Sequence, residues 1–216
     1  MKPDLLTLFE AIPYFTLEGF KQASKMESPG YTRIMLHRWA KTARIIPLKR
    51  GLYMTRRFFD QHGNDPAFTA AISSILLPQS YLSLEYVLQQ NNILTEITHP
   101  ITCITTKNTR KIKNRIGTFW YRNIRPDLYR GFAFFEYSGI RFAKASVAKA
   151  LFDTLYLRPL PAAYRTSRMD LAEELRLNLD EFTQKDRDEF AVYVEESASH
   201  KMQDILGNFR RTIWRH

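Results

Sequence analysis

Residues 44–54 of the chain read RIIPLKRGLYM, two short apolar runs on either side of a Lys-Arg-Gly step. Few local patterns leave a chain so little choice. Ile45 to Leu48 and Leu52 to Thr55 suit antiparallel strands, Gly51 supplies the positive φ that a tight turn needs, and Pro47, which lacks an N–H, belongs on an edge strand. The spacing predicts a hairpin with two cations, Lys49 and Arg50, at its tip. Such a tip leaves the protein and meets something.

What precedes the hairpin narrows the answer. Asp4 to Ile12 places Leu5, Leu8, Phe9 and Ile12 at helical spacing before Pro13, Thr16 caps a second helix (TLEGFKQASK), and the chain turns at MESPG. A third helix is expected from about Tyr31 to Arg44. At about 100° per residue, Met35, Leu36, Trp39 and Ala43 fall on one side of it, and Arg33, His37, Lys41 and Arg44 lie within about 80° of one another on the other. Thr32 and Arg38 flank this basic ridge, and arginine can bond guanine through two parallel hydrogen bonds.

Three helices followed by a two-stranded ribbon is the order of a winged helix-turn-helix, whose third helix enters the major groove while the wing touches backbone or minor groove. The candidate DNA-binding residues are thus Thr32, Arg33, His37, Arg38, Lys41 and Arg44 on the helix, and Lys49, Arg50 and Gly51 in the wing. Two alternatives stay open. The ridge is a solvated helix face above a hairpin that merely closes a small core, or the winged helix binds protein and not DNA.

Charge supports a polyanionic partner. Lys and Arg outnumber Asp and Glu by 32 to 22, and the excess comes in blocks: +6 over residues 1–60, −3 over 61–100, +9 over 101–149 and −2 over 150–216. Cys103 is the single cysteine, which excludes an internal disulfide and a four-thiolate zinc site and fits a reducing compartment. The first residues, MKPDLLTLFEAIPYF, carry acids inside their apolar stretch and no cleavage site, and no apolar run approaches the ~18–20 residues of a membrane span. A cytoplasmic protein without membrane association is expected.

The boundary is expected at FFDQHGNDP, Phe58 to Pro66, giving domains 1–60 and 65–216. Asn64-Asp65-Pro66 opens a helix through Leu77, and SYLSLEYVLQQNNI holds another, starting near Ser83. Strands follow at ITCITT, GTFWYRNI, FAFFEY and IRFA, the last two joined at Ser138-Gly139, and Ser146 begins the helix SVAKALFDTLYL. The remainder reads as helical. The fold class is therefore α+β: an N-terminal winged helix-turn-helix, then a mixed α/β domain with about four to six strands and a helical C-terminal tail.

Three blocks in succession carry a resemblance: RIIPLKRGLYM, then SYLSLEYVLQQNNILTE with ITCITT soon after, then AKASVAKALFDTLYL. In order and separation they resemble the AbiEi-type antitoxins, transcriptional regulators paired with AbiEii-type toxins in type IV toxin-antitoxin (abortive infection, phage defence) systems. The likeness covers roughly residues 5–160. The sequence departs from the family at Ala148, where an acidic residue commonly precedes the lysine, and at Ala43-Arg44, where a glycine usually ends the recognition helix. The resemblance implies an autorepressor that binds inverted repeats in its own promoter. It also implies a separate C-terminal function that counteracts a nucleotidyltransferase-like toxin, without requiring direct contact with it.

No catalytic residue, metal or cofactor is expected. Lys149 and Asp153 stand four apart on one helix, the spacing of an ordinary ion pair. His37, His62, His99, His200 and His216 show no metal-binding spacing, and there is neither a phosphate-cradling glycine loop nor a nucleophile elbow. Cys103 lies in an apolar strand pattern that suits a buried thiol. A second basic block interleaves Lys107, Arg110, Lys111, Lys113, Arg115, Arg122 and Arg125 with Phe119, Trp120, Tyr121 and Tyr129. Alternate aromatics pack under a sheet while the cations face water, or the block contacts DNA backbone, RNA or an acidic toxin. The rival to the antitoxin reading is a nucleic-acid-processing enzyme or RNA-binding protein that acts through this basic C-terminal part.

Overall fold

Side-chain caps set where the helices begin. In the computed structural model, which describes residues 5–25, 28–95, 100–162 and 170–214, Thr16, Ser28, Thr55, Asp65, Ser146, Asp170 and Thr183 each cap a helix with a side-chain oxygen. Asp4, Met26 and Glu27 of the MESPG turn, His99, Met169 and His216 lie outside the described residues.

The fold is α+β, and the chain divides into two units. The first comprises Met1–Pro78, Lys111–Phe119 and Phe135–Phe142; the second Gln79–Arg110, Trp120–Phe134 and Ala143–His216. The division does not follow the boundary expected at Phe58–Pro66. Helices α3 (Arg56–His62) and α4 (Pro66–Leu76) pack together there, with the Phe58 and His62 rings 6.3 and 6.2 Å from Phe68, so the polar stretch is a turn inside one core.

In the first unit a 3-10 turn, Leu5–Phe9, takes the place of the expected longer helix. Leu8 and Ile12 are exposed, so extending that helix gains no buried face. A two-residue strand β1 (Phe15–Thr16), too short to be read from a pattern, leads into α1 (Leu17–Ser24). Helix α2 (Pro29–Lys41) ends earlier than expected: Ala43 turns to φ +56° and the Arg44 amide bonds the Trp39 carbonyl at 2.9 Å. The expected hairpin follows as β2 (Ile45–Lys49) and β3 (Leu52–Thr55), and the sheet has the order β1-β3-β2. Beneath it Phe9, Phe15 and Phe20 cluster at centroid distances of 4.8–5.8 Å, with Leu36 and Ile45 buried against them.

A six-stranded sheet contains β4 (Ser80–Leu82), β5 (Ile101–Thr105), β6 (Arg110–Lys113), β7 (Thr118–Asn123), β8 (Phe132–Tyr137) and β9 (Ile140–Ala145), in the order β6-β7-β5-β4-β9-β8. Two of these strands are not evident in the sequence. β4 is three residues long and merges with the pattern of the helix after it, yet it is buried throughout, antiparallel to β5 and parallel to β9. β6 is RKIK, which reads as a basic loop. The second unit adds α5 (Leu84–Gln90), α6 (Val147–Leu157), α7 (Leu171–Glu174), α8 (Gln184–Ser197) and α9 (His200–Thr212). The last helices are no tail. Phe152 of α6 lies 6.5 Å from Phe190 and 5.8 Å from Tyr193 of α8, and Phe190 lies 6.0 Å from Phe209 of α9, so they build this unit's core.

Candidate nucleic-acid interface

Helix α2 is held by one face and leaves the other open. Leu36 is fully buried, Met35 and Trp39 pack on the phenylalanine cluster, and the Trp39 ring meets Phe20 edge-on at 5.5 Å. Arg33, His37, Arg38 and Lys41 are all exposed. The acids nearby in sequence are engaged elsewhere: Glu10 with Arg57 at 2.7 Å, Glu18 with Lys21 at 3.0 Å, Asp60 with Arg56 at 2.7 Å, and Asp65 as the cap of α4. None of these four acids pairs with a cation of α2, so among the described residues that face is exposed and basic.

The hairpin beside it differs from expectation at one cation. Lys49 pairs across the strands with Leu52, leaving Arg50 and Gly51 as the turn, where Gly51 takes φ +75° with open space beside it. The Gly51 carbonyl accepts from the Leu17 amide at 2.9 Å, which ties the tip to the start of α1. Lys49, expected to grip phosphate, instead donates to the Leu76 carbonyl at the end of α4, at 2.7 Å. A lysine at a helix C-terminus satisfies a carbonyl that lacks a helical partner, so this one, exposed as it is, also ties the hairpin to α4. Arg50 is exposed at the turn.

One further expected contact is corrected. Thr32 is fully buried and its hydroxyl donates to the Ser28 carbonyl at 3.1 Å, so it faces away from the ridge. Arg44, which is exposed, lies beyond the end of α2, with its guanidinium 5.1 Å from the Trp39 ring centroid. The ridge proper is Arg33, His37, Arg38 and Lys41. Tyr31 and Ile34, which the charge pattern passes over, share the exposed face. Their positions on the helical wheel were the available signal.

The second basic block does not gather into one patch of one unit. Lys111, Lys113 and Arg115 are exposed in the first unit, Lys107 and Arg110 in the second. Arg122 lies over Trp120 at 4.9 Å, and Arg125 bonds Asp127 at 2.9 Å and the Ser197 carbonyl at 3.1 Å. The interleaved aromatics are packed: Phe119 and Tyr121 are fully buried, and Tyr129 lies against Tyr81 at 5.2 Å. A stacking platform for bases needs exposed rings, whereas Phe119 and Tyr121 are buried and Trp120 and Tyr129 only partly exposed.

Lys149 and Asp153 form the expected ion pair, at 2.5 Å, but neither side chain touches solvent. Asp153 also accepts from Tyr81 at 3.0 Å and Ser83 at 2.7 Å, while the Lys149 ammonium sits 4.8 Å from the Phe152 ring and 5.3 Å from Tyr193. Burial pushes the Lys149 pKa down and the Asp153 pKa up, and each is opposed by the partner's charge. Around them Ser146 and Tyr193 both donate to Glu189, at 2.6 and 2.7 Å. The apolar Ala148, Leu151, Phe152 and Leu155 mark one side of α6, and the burial of Lys149 and Asp153 on another side was not signalled by the sequence. The pair thus joins α6 to the Tyr81 and Ser83 hydroxyls out of contact with solvent.

Cys103 is buried. His37 is exposed, His62 lies against Phe58 and within 3.3 Å of the Tyr137 hydroxyl, and His200 opens α9. Among the described residues no group of three or more His, Cys, Asp or Glu side chains is placed to hold a metal ion, and no helix is long and apolar enough to cross a membrane. A cleft of ≈ 490 Å³ in the first unit is lined by Glu10, Arg56, Arg57 and Asp60, whose charges pair with one another. No protein-family model matches this chain, and no curated protein matches it.

Proposed function

We propose that residues 1–60 form a winged helix-turn-helix that binds duplex DNA, and that the protein is the autorepressor and antitoxin of a type IV toxin-antitoxin system, acting in the cytoplasm without chemistry of its own. The observation that carries the DNA reading is the exposed basic face of α2, followed directly by a hairpin that brings Arg50 to its turn. The element order supports it: a helical turn, strand, two helices and two strands, with sheet order β1-β3-β2, is that of a winged helix. Arg33, His37, Arg38 and Lys41 read or grip the groove, and Arg50 meets a phosphate.

The antitoxin assignment rests on the resemblance of the three sequence blocks to AbiEi-type proteins, with a nucleotidyltransferase-like toxin as functional partner. The test has two arms. The purified protein should retard a duplex from its own upstream region in preference to a scrambled duplex, with affinity falling steeply as salt rises because each phosphate contact releases counterions. Co-expression with the product of an adjacent nucleotidyltransferase-like gene should relieve its toxicity. Equal affinity for both duplexes, lost in moderate salt, defeats the repressor reading. Turnover of labelled RNA or DNA with Mg²⁺ or Mn²⁺ defeats the non-enzymatic one.

A further inference from the structure

We infer that Ile34 reads the 5-methyl group of thymine on the floor of the major groove, an inference that rests on the duplex-DNA reading above. Tyr31 and Ile34 are 58% and 54% exposed on α2. At about 100° per residue the open arc runs from Arg33 through His37, Lys41, Ile34 and Arg38 to Tyr31, spanning about 160°. Ile34 stands near its centre, with cations on both sides.

Lone apolar residues on a surface are ordinary, but the position of this one is informative. When a helix docks in the major groove, residues at the margins of its exposed arc lie near the phosphates and those at the centre face the base edges. Ile34 also falls within the second turn from Pro29, the N-terminal part of the helix, which in such docking contacts bases. The apolar group that base edges offer in that groove is the thymine methyl. Contact between it and the Ile34 side chain removes both from water, while Arg33 and Arg38 on either side provide the attraction that brings the helix in. The complementarity is therefore double: cations along the arc to the phosphates, and Ile34 near its centre to a methyl.

The experiment uses the full chain and a synthetic duplex of its own upstream region, in which each thymine in turn is replaced by deoxyuridine. This keeps pairing and the O4 acceptor and deletes only the methyl; a synthetic duplex carries no methylated cytosine, so thymine alone supplies that group. Fluorescence anisotropy at fixed salt should find one or two positions where affinity falls about three- to fivefold, the worth of one buried methyl, and no change elsewhere. Ile34→Ala should bind the native duplex weaker by a similar factor and no longer distinguish thymine from uracil there, whereas Ile34→Val should keep the distinction. Thermal melting of both variants checks the fold.

If no thymine responds while promoter-specific, salt-dependent binding persists, the inference is overturned and the DNA reading stands. If Ile34→Ala keeps the full uracil effect, the methyl is read by another residue and the assignment is overturned. If no promoter-specific binding occurs at low salt, both fall.

Discussion

The two units use positive charge in opposite ways. In the first, α2 holds Arg33, His37, Arg38 and Lys41 in solvent, and no carboxylate among the described residues is seen to pair with them. In the second, Lys149 is enclosed on α6, where Asp153, Tyr81 and Ser83 converge. Ionic groups that are paired and buried hold a structure in one arrangement; cations left exposed and uncompensated are available to a partner. Function is thus sought at the first site and stability at the second, although a sequence reader drawn to close acid-base spacings would choose the reverse.

The largest expected effect comes from breaking the enclosed pair. Asp153→Ala leaves a buried, uncompensated ammonium and should cost about 3–5 kcal/mol in urea unfolding. Lys149→Met combined with Asp153→Leu should recover part of that, the remaining loss being the Tyr81 and Ser83 hydroxyls left without an acceptor. A cost under about 1 kcal/mol for the single change means that water reaches the site and the contrast between the units fails.

On the exposed side, Arg33→Ala and Arg38→Ala should each weaken promoter binding by about 1–3 kcal/mol where the arginine bonds a base, and should leave the melting temperature unchanged. Loss of stability without loss of binding would reverse their roles.

Lys49 and Arg50, neighbours at one hairpin, sharpen the same contrast within a single turn. Lys49→Ala should lower stability by about 1 kcal/mol at most, through the lost bond to the Leu76 carbonyl, with the salt dependence of binding intact. Arg50→Ala should leave stability alone and reduce the slope of log affinity against log salt by about 0.9, one phosphate contact. The smallest effect is Ala43→Gly, which should raise stability by roughly 0.5–1 kcal/mol because glycine takes the φ of +56° without the strain that a β-carbon imposes. Differential scanning calorimetry resolves it.

Much of the candidate interface was legible before any coordinates. Thr16 capping α1, the amphipathic pattern of α2 and the RIIPLKRGLYM hairpin all appear where the residues imply, because each rests on hydrogen bonds or spacing within a few positions. Where the reading missed, it missed for one kind of reason. Thr32 was grouped with the ridge because its neighbours are polar, yet by wheel position it lies with Leu36 on the packed side. β4 was hidden because three residues cannot display a period of two, and its burial comes from β5 and β9, which lie far along the chain.

By itself the sequence determined the caps at Thr16, Asp65 and Ser146, the turn at Gly51, the side of α2 that carries charge and the hairpin that follows it, since these are local choices of backbone and spacing. Only the tertiary structure decided which charges are free. Lys49 and Arg50 are adjacent and chemically alike, but one found a helix-end carbonyl 27 positions away and the other found solvent. Lys149 lost its water when α8 closed over α6. Burial depends on which distant surfaces meet, and that is a property of the assembled core and not of any short stretch of chain.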